Sequence, residues 1–242
     1  MRVAILSDAH ANLDALQAVF ADITQQKIER TVFLGDAVGY GSEPNACVEL
    51  VAKVCDTTLL GNHDSAALGW ESPTNFNELA RSSILWTRDA LTANCRATLA
   101  GFGMQDKLEN IFLTHASPRA PHLWEYVLTI DDATEQFEHF DEPVMFIGHS
   151  HIPAVFRQDE DGVVSHRVVT EARFDDGRRY IVNVGSIGQP RDQDPRACYV
   201  TFDTDTRLLR YHRVAYDVSR AQERIAMAGL PRALAERLAV GR

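Results

Sequence analysis

Five short runs hold most of the side chains able to do chemistry: Asp8-Ala-His10, Gly35-Asp36, Gly61-Asn-His-Asp64, His115 and Gly148-His-Ser-His151. They offer carboxylates, imidazoles and an amide, and no thiolate. That donor set suits Mn, Fe, Zn or Ni better than a soft metal or an all-oxygen calcium site. Each run alone is ordinary. A lone histidine is more often structural than a ligand, Gly-Asp can end a strand, and Asn and Asp favour turns. Together they are not ordinary, because leaving such groups buried and unpaired costs about 2–7 kcal/mol each. A metal centre satisfies them jointly. The donors are too many for one tetrahedral ion, so two ions are expected.

The elements that must position these runs follow from the hydrophobic pattern. Val3 to Leu6, Thr31 to Leu34 and Val54 to Leu60 read as buried strands. Leu13, Leu16, Phe20 and Ile23 recur at helical spacing, and Ser42-Glu-Pro44 opens a second helix with proline in its first turn. This β-α-β-α-β order implies a parallel sheet with covering helices, and sites belong at the carboxyl ends of its strands. A longer helix is expected from Phe76 to Leu91, a strand from Asn110 to Thr114, a helix near Asp132 to Phe140, and a strand from Val144 to Gly148. Val163 to Val169, Tyr180 to Val184, Cys198 to Phe202 and Leu208 to Val214 read as strands of a second, mostly antiparallel sheet. The tail from Val218 to Leu238 is helical, with a break at Gly229-Leu-Pro231. The fold class expected is α/β, in one unit spanning residues 1–242.

The chain has 242 residues and a formal net charge of -10. That balance argues against bulk binding to nucleic acid, which needs a basic face. A small phosphorylated partner stays compatible, because bound cations reverse the local field of an acidic site. Cys47, Cys55, Cys95 and Cys198 form no CxxC pair and read as reduced, buried apolar residues. No apolar segment reaches the roughly 20 residues that span a bilayer, so a cytoplasmic protein, free or as a homo-oligomer, is expected.

Taken in order, D-x-H, G-D, G-N-H-D, H and G-H-x-H resemble the motif set of the calcineurin-like metallophosphoesterase family. "SDAHANLDAL" and "GDAVGYGSEPNACVELV" resemble its small bacterial, phosphodiesterase-like members. The resemblance implies a four-layer αββα sandwich of two mixed β-sheets flanked by helices. It implies that Asp8, His10 and His151 bind a first metal ion, that Asn62, His115 and His149 bind a second, and that Asp36 bridges them. Manganese leads the expected ions, followed by iron, zinc or nickel. Ions about 3.5–4 Å apart can share a hydroxide that attacks phosphorus in line. His63 would then protonate the leaving oxygen or hold the phosphate, a role suited to a side chain titrating near neutrality.

One departure matters. The protein-phosphatase branch carries G-D-x-V-D-R-G at the second motif, and this chain carries Gly35-Asp-Ala-Val-Gly-Tyr-Gly41. Gly39 replaces the aspartate that orients the general-acid histidine, and Tyr40 replaces the arginine that grips phosphate. Asp64 is the expected substitute partner for His63. Arg191 and Arg196, in the loop "NVGSIGQPRDQDPRACY", are either the substitute cations or members of an ordinary solvated loop in which Asp192 and Asp194 pair locally. Asn12 is either a residue of the substrate site or the N-cap of the first helix. Trp70, Phe76, Trp86, Trp124 and Tyr126 read chiefly as packing residues, with a base pocket as the alternative. His122, His139, His166 and His212 fall outside the motifs. The expected reaction is hydrolysis of a phosphodiester or nucleotide-type ester. The alternatives are a phosphomonoesterase, a dinucleoside polyphosphate hydrolase, or a scaffold without turnover.

Overall fold

The computed structural model of the protein describes residues 1–242. Its strands are β1 (Arg2–Leu6), β2 (Arg30–Phe33), β3 (Thr57–Thr58), β4 (Gln105–Leu108), β5 (Ile111–Thr114), β6 (Val144–Ile147), β7 (Ala154–Gln158), β8 (Val164–Arg167), β9 (Glu171–Arg173), β10 (Arg179–Asn183), β11 (Ala197–Asp203) and β12 (Leu208–Val214). They form two six-stranded sheets, ordered β3-β2-β1-β11-β12-β9 and β4-β5-β6-β10-β7-β8. Both sheets are mixed. The pairs β1–β2, β2–β3, β5–β6 and β6–β10 are parallel, and the others are antiparallel.

Period-two alternation explains the layers. Val3 and Ile5 of β1 face a core between the sheets, shared with Ile111, Val144, Phe146 and Val182. Ala4 and Leu6 face the other way, onto helices α1 (Leu13–Ile23) and α2 (Pro44–Val54). On the far side of the second sheet, Met145 and Ile147 pack on Ala133 and Phe137, from α6 (Ile130–Gln136) and the turn after it. The remaining helices are α3 (Asn62–Leu68), α4 (Glu78–Ala90), α5 (Ala93–Ala100), α7 (Val218–Met227) and α8 (Arg232–Glu236). No helix is long and apolar enough to cross a membrane.

Two local expectations are corrected. The C-terminal hairpin β11–β12 does not build a separate antiparallel sheet. It extends the first one, because β11 pairs with β1 from Arg2↔Asp203 to Ile5↔Val200. The strand expected from Val54 shrinks to Thr57–Thr58, because Val54 completes the last turn of α2.

Candidate metal centre

All the candidate donors stand where parallel strands end. Asp8 and His10 follow β1, Asp36 follows β2, His115 follows β5, and His149 and His151 follow β6. Asn62 and His63 open α3. All are buried. The polypeptide keeps pairing beyond the strands, with Asp8 N–H donating to the Gly35 carbonyl (2.9 Å) and Gly148 N–H to that of His115 (2.9 Å). This fixes each turn against its neighbour in the same sheet. The conformations needed are uncommon: Asp8, His10, Ala11, Asp36, Tyr40, His149 and His151 all have φ between 48° and 64°. Such backbone is held at about 1–3 kcal/mol per residue and gathers where side-chain aim matters more than relaxation. Within Gly148-His-Ser-His151, His149 and His151 thus take left-handed backbone on either side of Ser150. Ser150 turns away, its Oγ accepting from Asn183 Nδ2 at 2.9 Å.

The donor atoms fall into overlapping clusters, each spanning no more than 4.8 Å: Asp8 with His10 and His151, His10 with Asp36 and His63, and Asp36 with His115 and His149. Asp36 Oδ2 lies 3.5 Å from both His10 Nε2 and His115 Nε2, so it joins the clusters. Its Oδ1 accepts from the His63 backbone N–H at 2.8 Å, and Gly61 must lack a Cβ because that atom would overlap Oδ1. His10 donates Nδ1–H to the Val38 carbonyl (3.0 Å), and His151 donates Nδ1–H to that of Gln189 (2.6 Å). Both Nε2 lone pairs are thereby aimed inward, 3.0 Å apart.

Several buried atoms of this set have no hydrogen-bond partner in the protein: Asp8 Oδ1, Asn62 Oδ1, both nitrogens of His115, and His149 Nε2. Native proteins rarely bury so many polar atoms unpaired. Divalent cations fit them in number and in chemistry. The fields also conflict within the protein alone. Burial opposes charge on His115, but Asp36 lifts it to about 9. Burial, reinforced by His115, pushes His149 down to about 3.

Asp64 is not the partner of His63. Its carboxylate accepts backbone N–H bonds from Ala37 (3.2 Å), Val38 (3.0 Å) and Gly61 (3.1 Å), pinning the Asp36 turn to α3. Burial, then the Asp36 charge, push its carboxyl up to about 7. Asp64→Ala would orphan three buried donors at about 1–3 kcal/mol each. It should therefore lower the thermal midpoint by well over 5 °C in a calorimetric scan. The His63 ring instead packs on Gly39, whose φ of +89° and missing side chain make room for Nδ1. No carboxylate can occupy the place an aspartate holds in the phosphatase motif.

The substrate candidates separate. Asn12 Oδ1 caps α1 through Ala15 N–H (3.2 Å) and its Nδ2 donates to the Gly188 carbonyl (2.9 Å), so it serves the fold. Arg196 is half-exposed and engaged bidentately by Asp194. Arg191 does reach the centre's rim. Its Nη2 meets Gln189 Oε1 (2.9 Å) and the Tyr40 hydroxyl (3.4 Å), its Nε has no partner, and no carboxylate pairs with it. Arg237 also lies over the Tyr40 ring, 5.7 Å from its centroid. The sequence reading missed it, since an arginine in an amphipathic tail carries no motif. Tyr40, standing where phosphatases place arginine, is thus the ring on which two distant arginines converge.

Residues 1–207 match the family model of the calcineurin-like phosphoesterase superfamily domain. An uncharacterised protein of Methanocaldococcus jannaschii, MJ0912, is 37% identical over 99% of this chain and 98% of its own. The crystal structure of a metallophosphoesterase from Sphaerobacter thermophilus superposes with a TM-score of 0.88 at 39% identity, covering 100% of this chain and 99% of that one. That of the hypothetical protein PH1004 from Pyrococcus horikoshii OT3 gives 0.78 at 22% identity, covering 100% and 98%.

Proposed function

The chain belongs to the calcineurin-like phosphoesterase superfamily of divalent-metal-dependent phosphate-ester hydrolases, and from that premise we propose that it hydrolyses a small phosphodiester or nucleotide-type ester at the Asp36-centred clusters. The observation that carries this reading is the set of buried donor atoms without a hydrogen-bond partner in the protein. Asp8, His10 and His151 would hold one cation and Asn62, His115 and His149 a second, with Asp36 shared. When bound, such ions supply Lewis acidity, acidifying water and neutralising phosphate charge, and manganese, iron, zinc and nickel all suit these ligands.

The protein's own groups supply the rest. His63 belongs to the middle cluster, with His10 and Asp36, without being needed to complete either ion's set. It transfers a proton to the leaving oxygen as that P–O bond breaks and the water oxygen bonds to phosphorus. Burial holds His63 well below its ordinary range, and Asp36 works the other way; a bound phosphate adds further negative charge that favours the protonated ring. Arg191 offers its free N–H groups to a non-bridging oxygen. Of the two arginines over the Tyr40 ring, Arg237 is held by the Arg242 carbonyl, and the unpartnered Nε is on Arg191. One guanidinium against phosphate suits the one negative charge of a diester, which is why the diester is preferred. All seven donors of the resemblance are present, which leaves the scaffold alternative without support.

The test is direct. Protein loaded in turn with Mn, Fe, Zn and Ni is assayed against bis-p-nitrophenyl phosphate, p-nitrophenyl phosphate and diadenosine tetraphosphate. The diester should turn over fastest, and chelation should abolish turnover of all three. Faster monoester hydrolysis would overturn the diester preference.

A further inference from the structure

Beside the centre, on the side of Asn62, His63 and His149, lies a groove of about 410 Å³. Sites for small molecules span about 300–1,000 Å³. One wall is the loop after β5. Its Tyr126 ring lies flat on the His149 imidazole, 4.0 Å between centroids at 21°, yet Tyr126 is 49% exposed, so its outer face is uncovered. Phe76, before α4, also lines the groove, its ring steeply inclined to that of His63 with centroids 5.2 Å apart. Trp124, a further lining residue, donates Nε1–H to Glu71 Oε2 at 3.1 Å. Trp124 itself is only 9% exposed and offers no free face.

Glu71 is the unexpected member. It is partly buried, no cation pairs with its carboxylate, and burial lifts its carboxyl above the ordinary range. A carboxylate next to a phosphate centre repels a second anionic group and accepts hydrogen bonds from N–H donors. The half-exposed Tyr126 ring, already stacked on His149 by one face, offers a flat ring one stacking face. It does not make the closed aromatic box that a tetrahedral ammonium requires. His63, the proposed proton donor to the leaving oxygen, lines the same groove, which places it on the leaving-group side.

We propose that this groove seats the nucleoside leaving group of the substrate, its base stacked on Tyr126 and its N–H edge donating to Glu71. The proposal rests on the phosphoesterase reading and specifies its substrate class. Base–aromatic stacking is sequence-tolerant and substantial, while the carboxylate favours bases that present N–H donors, guanine foremost.

The test uses binding, so it stands apart from turnover. Full-length Mn-loaded protein is titrated with the non-hydrolysable guanosine 5′-methylenephosphonate, with methylphosphonate, and with a trimethylammonium-ethyl phosphonate, followed by equilibrium dialysis and tryptophan fluorescence. The guanosine compound should bind at least tenfold tighter than methylphosphonate. Tyr126→Leu should remove about tenfold of that advantage, read as the ratio of guanosine-compound to methylphosphonate affinity in the same metal-loaded protein, and Tyr126→Phe should restore it. Glu71→Gln should weaken the guanosine compound about fivefold. Equal binding of guanosine compound and methylphosphonate, indifference to Tyr126→Leu, or tighter binding of the ammonium compound would each overturn the proposal. Failure of the phosphoesterase reading would show itself separately, as absent turnover of every p-nitrophenyl ester.

Discussion

Replacing His63 with alanine is expected to lower kcat by about 10²–10⁴-fold toward an ester with an alkoxide leaving group, while a p-nitrophenyl ester loses less than tenfold. The two substrates differ in what the leaving oxygen needs. An alkoxide must be protonated as it departs, whereas p-nitrophenolate leaves unaided. Alanine keeps the backbone N–H that holds Asp36 Oδ1 at 2.8 Å, so the metal ligands should stay in place. Metal content by elemental analysis should therefore match the unsubstituted protein. The decisive readout is the ratio between substrates. An equal loss on both would mean that His63 shapes the site or holds phosphate; no loss on either would remove it from the reaction.

The second large effect is predicted for Asp36→Asn. The substitution keeps the shape and the acceptor for His63 N–H, so α3 stays docked. It removes the negative charge from the one side chain that lies 3.5 Å from imidazoles of both outer clusters. It also offers an amide N–H where a cation needs a lone pair. Loss of an outer-shell partner of a metal ligand typically reduces metal affinity or activity by about 10–100-fold. A ligand common to two ions should exceed that, so activity should fall by more than about 100-fold. Bound metal should drop below one ion per chain, with far-ultraviolet circular dichroism unchanged. Retention of two ions per chain would show that Asp36 does not join the clusters in solution.

These residues were legible in the sequence for a simple reason. Each cluster directly follows an apolar run, and a strand delivers whatever comes next to its carboxyl edge. The partners of polar side chains were not legible, because they are set by the tertiary fold. Asp64 stands beside His63 in the chain, yet its carboxylate reaches the Ala37 and Val38 amides on another turn. For Arg196 the sequence leaves phosphate binding and local pairing open, and the structure pairs it with Asp194. Sheet membership failed in the same way. Local pattern identifies β11 and β12 as strands, but the choice between a new sheet and the edge of β1 depends on contacts across most of the chain. Arg237 lay furthest out of reach, since only the packing of α7 and α8 against Tyr40 brings the tail to the site.

The attachment of the centre to both sheets has a consequence for how the protein is made. Asp8 and His10 emerge from the ribosome well before their partner His151, and β1 lacks its second neighbour until β11 has been synthesised. The chain from Asp8 through His151 must exist before the first cluster can close. Domains of this kind fold largely as units, with long-range pairings formed late. Nascent chains thus expose a few isolated donors and no assembled site. An ion held between the two sheets would then be selected by the geometry of the finished site rather than by first encounter.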